Sequence, residues 1–253
     1  MFAHIGTRLA ALTAVLFVAL GAALPALADD VPVAVAANFT EPVKAIAAAF
    51  TARTGHHVTL SFGSSGQFYT QITQGAPLQV LLSADAERPQ RLEREGLGVP
   101  GSRFSYAIGQ LVLYSKTPGL ADGAGVLKSG RFAKLAIADP SAAPYGVAAI
   151  QTMTRLGVYA ALQPKIVKGS SITQAFQFVD SGAAELGFVA LSQVIDQPGG
   201  SRWLVPAALH APIDQQAILL FAGQKKPAAR AFLQFLKSPE ALAIIKRYGY
   251  EVR

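Results

Sequence analysis

The stretch from Val31 to Phe62 reads VPVAVAANFTEPVKAIAAAFTARTGHHVTLSF. Its apolar run at Val31–Ala37 is typical of a short buried strand. Apolar residues then recur every three or four positions over Pro42–Ala52, which predicts a helix that ends at Gly55. A second strand pattern follows at His57–Phe62. This strand–helix–strand order predicts a parallel sheet covered by helices.

The same alternation continues along the chain and predicts an α/β protein. Two longer apolar strands, Tyr106–Tyr114 and Gln215–Phe221, are predicted to connect two lobes. We expect residues 29–108 together with 217–253 to form lobe 1, and residues 109–216 to form lobe 2. Two such connections permit hinge closure around a ligand. A single continuous domain is the alternative interpretation.

Residues 1–28 have the pattern of a secretory signal peptide. Arg8 is the only charged residue before Asp29, an apolar stretch follows it, and ALA at 26–28 is a small-residue cleavage site. We therefore expect export to the periplasm with cleavage after Ala28. An uncleaved membrane anchor is the alternative, because the apolar stretch is close to the length that spans a bilayer.

The composition excludes several classes of protein and site. The chain has no cysteine, so thiolate metal sites and cysteine nucleophiles are excluded. Its formal net charge is +7, but the basic residues are scattered and form no block or stripe. Because nucleic-acid binding proteins concentrate their basic residues in such stripes, we do not expect a nucleic-acid partner.

Four segments in which a predicted strand is followed by a helix are candidates for a ligand site. They read AANFTEP at 36–42, FGSSGQ at 62–67, DPSAAPYG at 139–146 and KGSSITQ at 168–174. A helix start exposes unpaired backbone N–H groups and a partial positive charge, which can bind an anion without Lys or Arg. Strand ends of an open α/β sheet share one edge, so these starts can converge on one cleft. The pattern favours neutral donors around an ionised oxyanion.

These segments also carry a resemblance to a known family. Along almost all of its length after residue 28, the chain resembles the periplasmic molybdate-binding proteins of ABC transporters. The resemblance depends on the order and spacing of short stretches, namely VAANFT at 35–40, FGSSG at 62–66, QGAP at 74–77, LSAD at 82–85, DP at 139–140, LGFV at 186–189 and KRYGY at 246–250.

The resemblance implies a two-lobed periplasmic binding protein fold of type II. Each lobe would be a mostly parallel sheet flanked by helices, with the ligand cleft between the lobes. It also implies molybdate or tungstate as the ligand and an inner-membrane ABC transporter permease as the partner. A monomer is expected, with no cofactor and no direct protein ligand to the metal, which would be bound as its oxyanion.

By position, the resemblance implies five ligand-binding residues, which are Ala37, Asn38, Ser65, Tyr145 and Ile172. The Asn38 amide and the hydroxyls of Ser65 and Tyr145 are expected to donate directly to the oxyanion. Ala37, Ser65 and Ile172 are expected to add backbone N–H donors, so the side chain of Ile172 would matter little.

Two positions depart from the family pattern. Many members have a ligand tyrosine after the strand that resembles LGFV, where this chain has Ala190. Tyr145 is expected to supply that hydroxyl from the opposite wall of the cleft. Members also commonly have Asp after the Gly-Ala-Pro stretch, where this chain has Gln79. That difference disfavours carboxylate coordination of the metal and favours a purely hydrogen-bonded anion.

Two other functions stay open from the residues alone. A binding protein for sulfate, phosphate or an iron complex would use the same helix starts. A secreted α/β hydrolase is the alternative from another class, and it needs a positioned histidine. After residue 28 only His56, His57 and His210 remain, and no nucleophile elbow, zinc-protease or phosphate-loop motif is present. We therefore expect that the chain is not an enzyme.

Overall fold

The computed structural model describes residues 28–252 of the chain. The predicted signal peptide, apart from Ala28, lies outside the described residues. The described chain forms two five-stranded sheets with helices packed on them. Within residues 28–252, none of the helices is both long and apolar enough to cross a membrane.

The first sheet has the strand order β2-β1-β3-β10-β4. Its strands are β1 (Asp30–Ala36), β2 (His57–Gly63), β3 (Val80–Ser83), β4 (Phe104–Gly109) and β10 (Ile213–Leu219). β1 pairs in parallel with β2 and β3, whereas β10 is antiparallel to both β3 and β4. Four of the five strands therefore run in one direction, and β10 alone runs against them.

The second sheet repeats this arrangement with the order β7-β6-β8-β5-β9. Its strands are β5 (Leu111–Ser115), β6 (Leu135–Ala138), β7 (Ile166–Gly169), β8 (Leu186–Ala190) and β9 (Ser201–Leu204). β6 is parallel to β7 and β8, and β5 is antiparallel to β8 and β9. The expectation of two mostly parallel sheets flanked by helices is confirmed.

Helices cover both sheets and begin mainly at the carboxyl ends of strands. They are α1 (Thr40–Thr54), α2 (Ser65–Thr73), α3 (Glu87–Arg94), α4 (Ala124–Ser129), α5 (Pro144–Arg155), α6 (Tyr159–Leu162), α7 (Ile172–Asp180), α8 (Leu191–Val194), α9 (Pro227–Phe235) and α10 (Pro239–Arg247). Short 3-10 turns occupy Ala37–Phe39, Gln163–Lys165, Ala207–Leu209 and Phe221–Gly223.

Each sheet has its own apolar core. In the first lobe α1 packs on β1 and β2 and meets the C-terminal helices, where the ring centroids of Phe50 and Phe232 lie 5.3 Å apart. In the second lobe β5, β6 and β8 form a fully buried centre covered by α5 and α7. Burial on both faces explains why the inner strands β5, β6 and β8 read as continuous apolar runs and not as alternating ones.

The two connections between the lobes differ from the predicted strands in detail. The predicted strand Tyr106–Tyr114 is two strands, β4 and β5, which lie in different sheets and are separated by Gln110. On the return, β10 pairs only with strands of the first sheet, starting at Ile213. The chain therefore crosses between Leu204 and Ile213, and the predicted lobe boundary at residue 217 falls inside β10. An apolar run predicts a strand but does not show which sheet it joins.

Candidate anion-binding site

A small cavity lies between the two lobes, where three helices and a 3-10 turn begin. Lobe 1 contributes the ends of β1, β2 and β3, and lobe 2 contributes the starts of α5 and α7. All five residues predicted from the resemblance line it. The complete lining is Ala36, Ala37, Asn38, Gly63, Ser64, Ser65, Ala84, Ala143, Pro144, Tyr145 and Ile172.

The start of α2 holds Ser65 with two donors free. Ser64 caps the helix through a capping box with Gln67, which uses the N–H groups of both residues. Gly66 N–H donates to Ala142 O across the cleft at 2.9 Å. Ala84 N–H donates to Ser65 Oγ at 2.9 Å. Because Ser65 Oγ accepts there, its hydroxyl proton and its backbone N–H are the groups left to donate into the cavity.

The start of α7 leaves the backbone of Ile172 available in the same way. Ser171 Oγ accepts from Gln174 N–H at 3.3 Å, and Gln174 Oε1 accepts from Ser170 N–H at 2.6 Å. Ile172 is the first residue of the helix, so its N–H has no carbonyl of the same helix to meet. Its side chain is buried in the core of lobe 2. If Ile172 binds a ligand, the group that does so is therefore its backbone N–H.

The start of α5 places Tyr145 against the cavity. Pro144 supplies the first helical residue and has no N–H, so the helix start there depends on the following residues. Tyr145 is only 1% exposed, and its hydroxyl is one of four buried polar side-chain atoms without a hydrogen-bond partner among the described residues. Burial raises the pKa of Tyr145 well above its ordinary value. The hydroxyl therefore keeps its proton at neutral pH and can act as a donor.

In the 3-10 turn after β1, the side-chain amide of Asn38 has other partners than the predicted ligand. The amide nitrogen of Asn38 donates to Gln215 Oε1 at 2.7 Å and to Tyr250 Oη at 3.0 Å. Both amide protons are thus engaged within the protein, and donation to an anion would require one of these bonds to be exchanged. Ala37 begins the turn, where its backbone N–H lacks a partner within the turn.

Contacts across the cleft hold the lobes together around the cavity. Besides the bond from Gly66, Ser192 Oγ in lobe 2 donates to Asn38 O at 2.8 Å. Arg88 Nη2 donates to Ser141 O at 3.2 Å near the rim. The cavity is therefore seen with its two walls in contact, as expected for a closed two-lobed binding protein.

The lining of the cavity carries no formal charge. None of its eleven residues is Lys, Arg, His, Asp or Glu. The described residues also contain no group of three or more His, Asp or Glu that could hold a metal ion. An arrangement of N–H and O–H donors without an obligatory acceptor suits a fully ionised oxyanion, because every oxygen of such an anion accepts hydrogen bonds.

The two positions that depart from the family pattern do not line the cavity. Ala190 is fully buried at the end of β8, where its N–H donates to Gln193 Oε1 at 3.0 Å. Gln79 precedes β3, and its backbone bonds to Pro32 and Leu220. The expected substitution of Tyr145 for a tyrosine at position 190 stays a prediction.

Sequence reasoning missed three side chains that surround the site. Gln215, Tyr250 and Ser192 bond to Asn38, and each lies more than 150 positions away from it in the chain. The two glutamines, Gln215 and Gln216, at the start of the otherwise apolar stretch Gln215–Phe221 were a signal that could have identified the first of these. Tyr250 lies in the KRYGY stretch, which contributed only to the resemblance.

The fold and the site together define a two-lobed binding protein with an uncharged cavity between its lobes. The chain belongs to the family of bacterial extracellular solute-binding proteins, whose model matches residues 31–251.

Comparison with individual proteins agrees with this assignment. The chain is 58% identical to the molybdate-binding protein ModA of Rhodobacter capsulatus, over 91% of this chain and 92% of that protein. It is 53% identical to the molybdate-binding protein ModA of Azotobacter vinelandii, over 93% of this chain and 96% of that protein. These relatives are binding proteins, which confirms the expectation that the chain is not an enzyme.

Solved structures match the fold over most of its length. The periplasmic molybdate-binding protein of Azotobacter vinelandii superposes with a TM-score of 0.85 at 44% identity, covering 88% of this chain and 99% of that chain. The sulfate-binding protein SubI of Mycobacterium tuberculosis superposes with a TM-score of 0.74 at 15% identity, covering 88% of this chain and 86% of that one. The second likeness concerns the fold alone. The expected type II periplasmic binding protein architecture is confirmed.

Proposed function

We propose that this protein captures molybdate or tungstate as the substrate-binding protein of an ABC transporter. The observation that carries the proposal is the uncharged cavity between the lobes, whose lining includes Ser65, Tyr145 and Ile172. Relatives at 58% and 53% identity that are named for molybdate binding support the choice of anion.

The chemistry of the lining favours a dianion that carries no proton. Hydrogen bonds to an ionised acceptor are about twice as strong as those between neutral groups, so a few aligned donors can replace a counter-charge. Hydrogen phosphate has a proton that needs an acceptor, whereas the Ser65 hydroxyl, the Tyr145 hydroxyl and the backbone N–H groups are proposed to act toward the ligand as donors. Sulfate has no such proton, so discrimination against it must come from size.

Binding would be coupled to closure of the lobes. Ser65 belongs to lobe 1, whereas Tyr145 and Ile172 belong to lobe 2, so one anion bonded to all three favours the closed arrangement. A ligand shifts a conformational equilibrium by the difference between its affinities for the two states. An anion that bonds both walls satisfies this condition, because only the closed form brings all of its donors together.

The family and the sequence also support a proposal for the location, the oligomeric state and the membrane partner of the protein. We place the protein in the periplasm as a monomer, with a signal peptide that is cleaved after Ala28 and a permease in the inner membrane as its partner. The export pattern of residues 1–28 and the extracellular family support this assignment. Mass spectrometry of the mature N-terminus and sedimentation of the purified protein test cleavage and oligomeric state separately.

A thermal-shift panel with molybdate, tungstate, sulfate, phosphate and a neutral sugar tests the choice of ligand. A ligand that binds only the folded state stabilises it by about 2.7 kcal/mol when it is present at 100 times its dissociation constant. We expect molybdate and tungstate to raise the melting temperature strongly, and phosphate and the sugar to leave it unchanged. A shift with sulfate that equals the shift with molybdate would make this a general oxyanion-binding protein, and a shift with the sugar alone would refute the proposal.

A further inference from the structure

A buried polar cluster lies behind the anion cavity, where the two connections between the lobes meet. Its centre is Gln215 on β10, which is fully buried. Around it lie the hydroxyls of Tyr106 on β4, Tyr145 on α5 and Tyr250 near the C-terminus, together with the amide of Asn38. The cluster therefore joins both walls of the cavity to a strand at the hinge.

The oxygen of the Gln215 amide is fully used. Gln215 Oε1 accepts from Asn38 Nδ2 at 2.7 Å and from Tyr106 Oη at 3.1 Å. The bond from Asn38 fixes the orientation of the amide, because turning it over would set Nε2 against a nitrogen that can only donate, whereas the Tyr106 hydroxyl has Ser83 O as an alternative acceptor at 3.3 Å. Asn38 is fixed in turn by Tyr250, which accepts from Asn38 Nδ2 and gives its own proton to Asn38 O at 2.7 Å.

The nitrogen of the same amide is left without a partner. Gln215 Nε2 and Tyr145 Oη are both buried and both unpartnered among the described residues. They share the space above Gly109, where a built Cβ would collide with Tyr145 Oη and lie 2.8 Å from Gln215 Nε2. Because Gly109 has no side chain, there is room above it for both the Gln215 amide nitrogen and the Tyr145 hydroxyl.

We propose that Gln215 is a positioning residue for the anion site. Its Nε2–H donates to Tyr145 Oη when the proton of Tyr145 is directed to the bound oxyanion, and its Oε1 holds Asn38 at the end of β1. This inference rests on the proposed function, since it assigns the residue that orients two members of that site.

Ser65 provides a precedent for this arrangement within the same cavity. Its Oγ accepts from Ala84 N–H at 2.9 Å, and that bond leaves the hydroxyl proton to point into the cavity. An N–H group that bonds to the oxygen both orients the hydroxyl and polarises it toward donation. In the proposed arrangement Gln215 Nε2–H orients the Tyr145 hydroxyl in the same way, with a side-chain donor in place of the backbone N–H.

The test uses the substitution Gln215→Glu and the affinity for sodium molybdate as a function of pH. When protonated, the introduced carboxyl can donate to Tyr145 as the amide does. When ionised, it accepts a hydrogen bond from the Tyr145 hydroxyl, which turns that hydroxyl away from the ligand, and it places a negative charge near the anion. Buried glutamates are documented with pKa values of about 8–9, so this change should fall between about pH 6.5 and about pH 9.

The wild-type cluster has no group that changes charge in this range. Its titratable members are the hydroxyls of Tyr106, Tyr145 and Tyr250, and burial raises the pKa of each, in Tyr250 to about 12. Any pH dependence that appears in Gln215→Glu and is absent from the wild type therefore belongs to the new carboxyl. Gln216→Glu is the matched control, because Gln216 is the next residue on the strand and bonds to Arg103, Ser105 and Asp214 instead.

We expect Gln215→Glu to bind molybdate nearly as tightly as the wild type at about pH 6.5 and about 10- to 100-fold more weakly at about pH 9. The wild type and Gln216→Glu should change by less than about threefold over the same range. An affinity of Gln215→Glu that stays at the wild-type value at both pH values overturns the inference.

A second variant keeps the test decisive if Gln215→Glu fails to fold. Gln215→Met preserves the volume of the side chain and should weaken molybdate binding about tenfold or more at every pH, because Tyr145 and Asn38 both lose their partner. Affinity equal to that of the wild type overturns the inference. Absence of molybdate binding by the wild type itself contradicts the proposed function, and so is distinguishable from failure of the inference alone.

Discussion

The two walls of the cavity differ in how completely their polar groups are bonded within the protein. In lobe 1 the side chains at the start of α2 are held by the protein: Ser64 and Gln67 cap the helix, and Ala84 N–H donates to Ser65 Oγ, so that only the hydroxyl proton and the N–H of Ser65 are left to donate. In lobe 2 the hydroxyl of Tyr145 is buried without a partner. A buried hydroxyl without a hydrogen bond costs about 1–3 kcal/mol in mutational data.

This difference indicates that the two lobes contribute to binding in different ways. The wall of lobe 1 is organised before binding, so its donors lose little freedom when they meet an anion. The wall of lobe 2 carries an unfavourable polar group that an anion would relieve. Substitutions on the two walls should therefore affect stability and affinity in different proportions, and three of them test this comparison.

Ser65→Ala should have the largest effect on affinity. It removes a donor to a charged acceptor and leaves the N–H of Ala84 without its partner, so we expect molybdate binding to weaken by about 1.5–3 kcal/mol. Isothermal titration calorimetry measures this loss directly. Thr73→Val, at the exposed end of the same helix, is the control and should bind as the wild type does. Unchanged affinity of Ser65→Ala would move the site elsewhere.

Tyr145→Phe should separate ligand affinity from stability. Affinity should fall by about 1–2 kcal/mol because a donor is lost, whereas the free energy of unfolding without ligand should stay equal or rise because an unpartnered buried hydroxyl is gone. Denaturant unfolding and calorimetry on the same preparation give both numbers. A variant that is destabilised yet binds normally would show that the hydroxyl has a structural role. It would contradict the idea that lobe 2 carries an unfavourable hydroxyl that the anion relieves.

Ser192→Ala should have the smallest effect of the three. Ser192 Oγ bonds to Asn38 O across the cleft, but Tyr250 Oη donates to the same carbonyl, so the oxygen stays satisfied. We expect a loss of about 0.5–1.5 kcal/mol in affinity, seen mainly as faster ligand release in stopped-flow traces. A loss as large as that of Ser65→Ala would mean that closure, and not the donors of lobe 1, dominates binding.

Much of the fold could be predicted because its signals are local. The stretch Val31–Phe62 contains the strand, helix and strand that define the parallel part of the first sheet, and the helix starts at Ser65 and Ile172 can be predicted from Ser-Ser caps. The break at Gln110 between β4 and β5 has no such signal, because both strands are apolar and only their sheet partners tell them apart.

The candidate site shows the same limit. Residues at helix starts can be found from the sequence, and the cavity brings all five of the predicted ones together. The partners of Asn38 could not be found, since Gln215 and Tyr250 are 177 and 212 positions away and meet it only in the folded chain. Whether an amide faces the ligand or a neighbour is decided by such contacts between distant segments.

We expect the neutral donors of the cavity to bind an unprotonated dianion without help from any titratable group. Titration calorimetry of the wild type with molybdate at neutral pH, repeated in two buffers with different ionisation enthalpies, tests it most directly. We expect tight binding with the same observed enthalpy in both buffers, because no proton is taken up or released. An enthalpy that changes with the buffer would reveal a linked proton and would contradict an uncharged site.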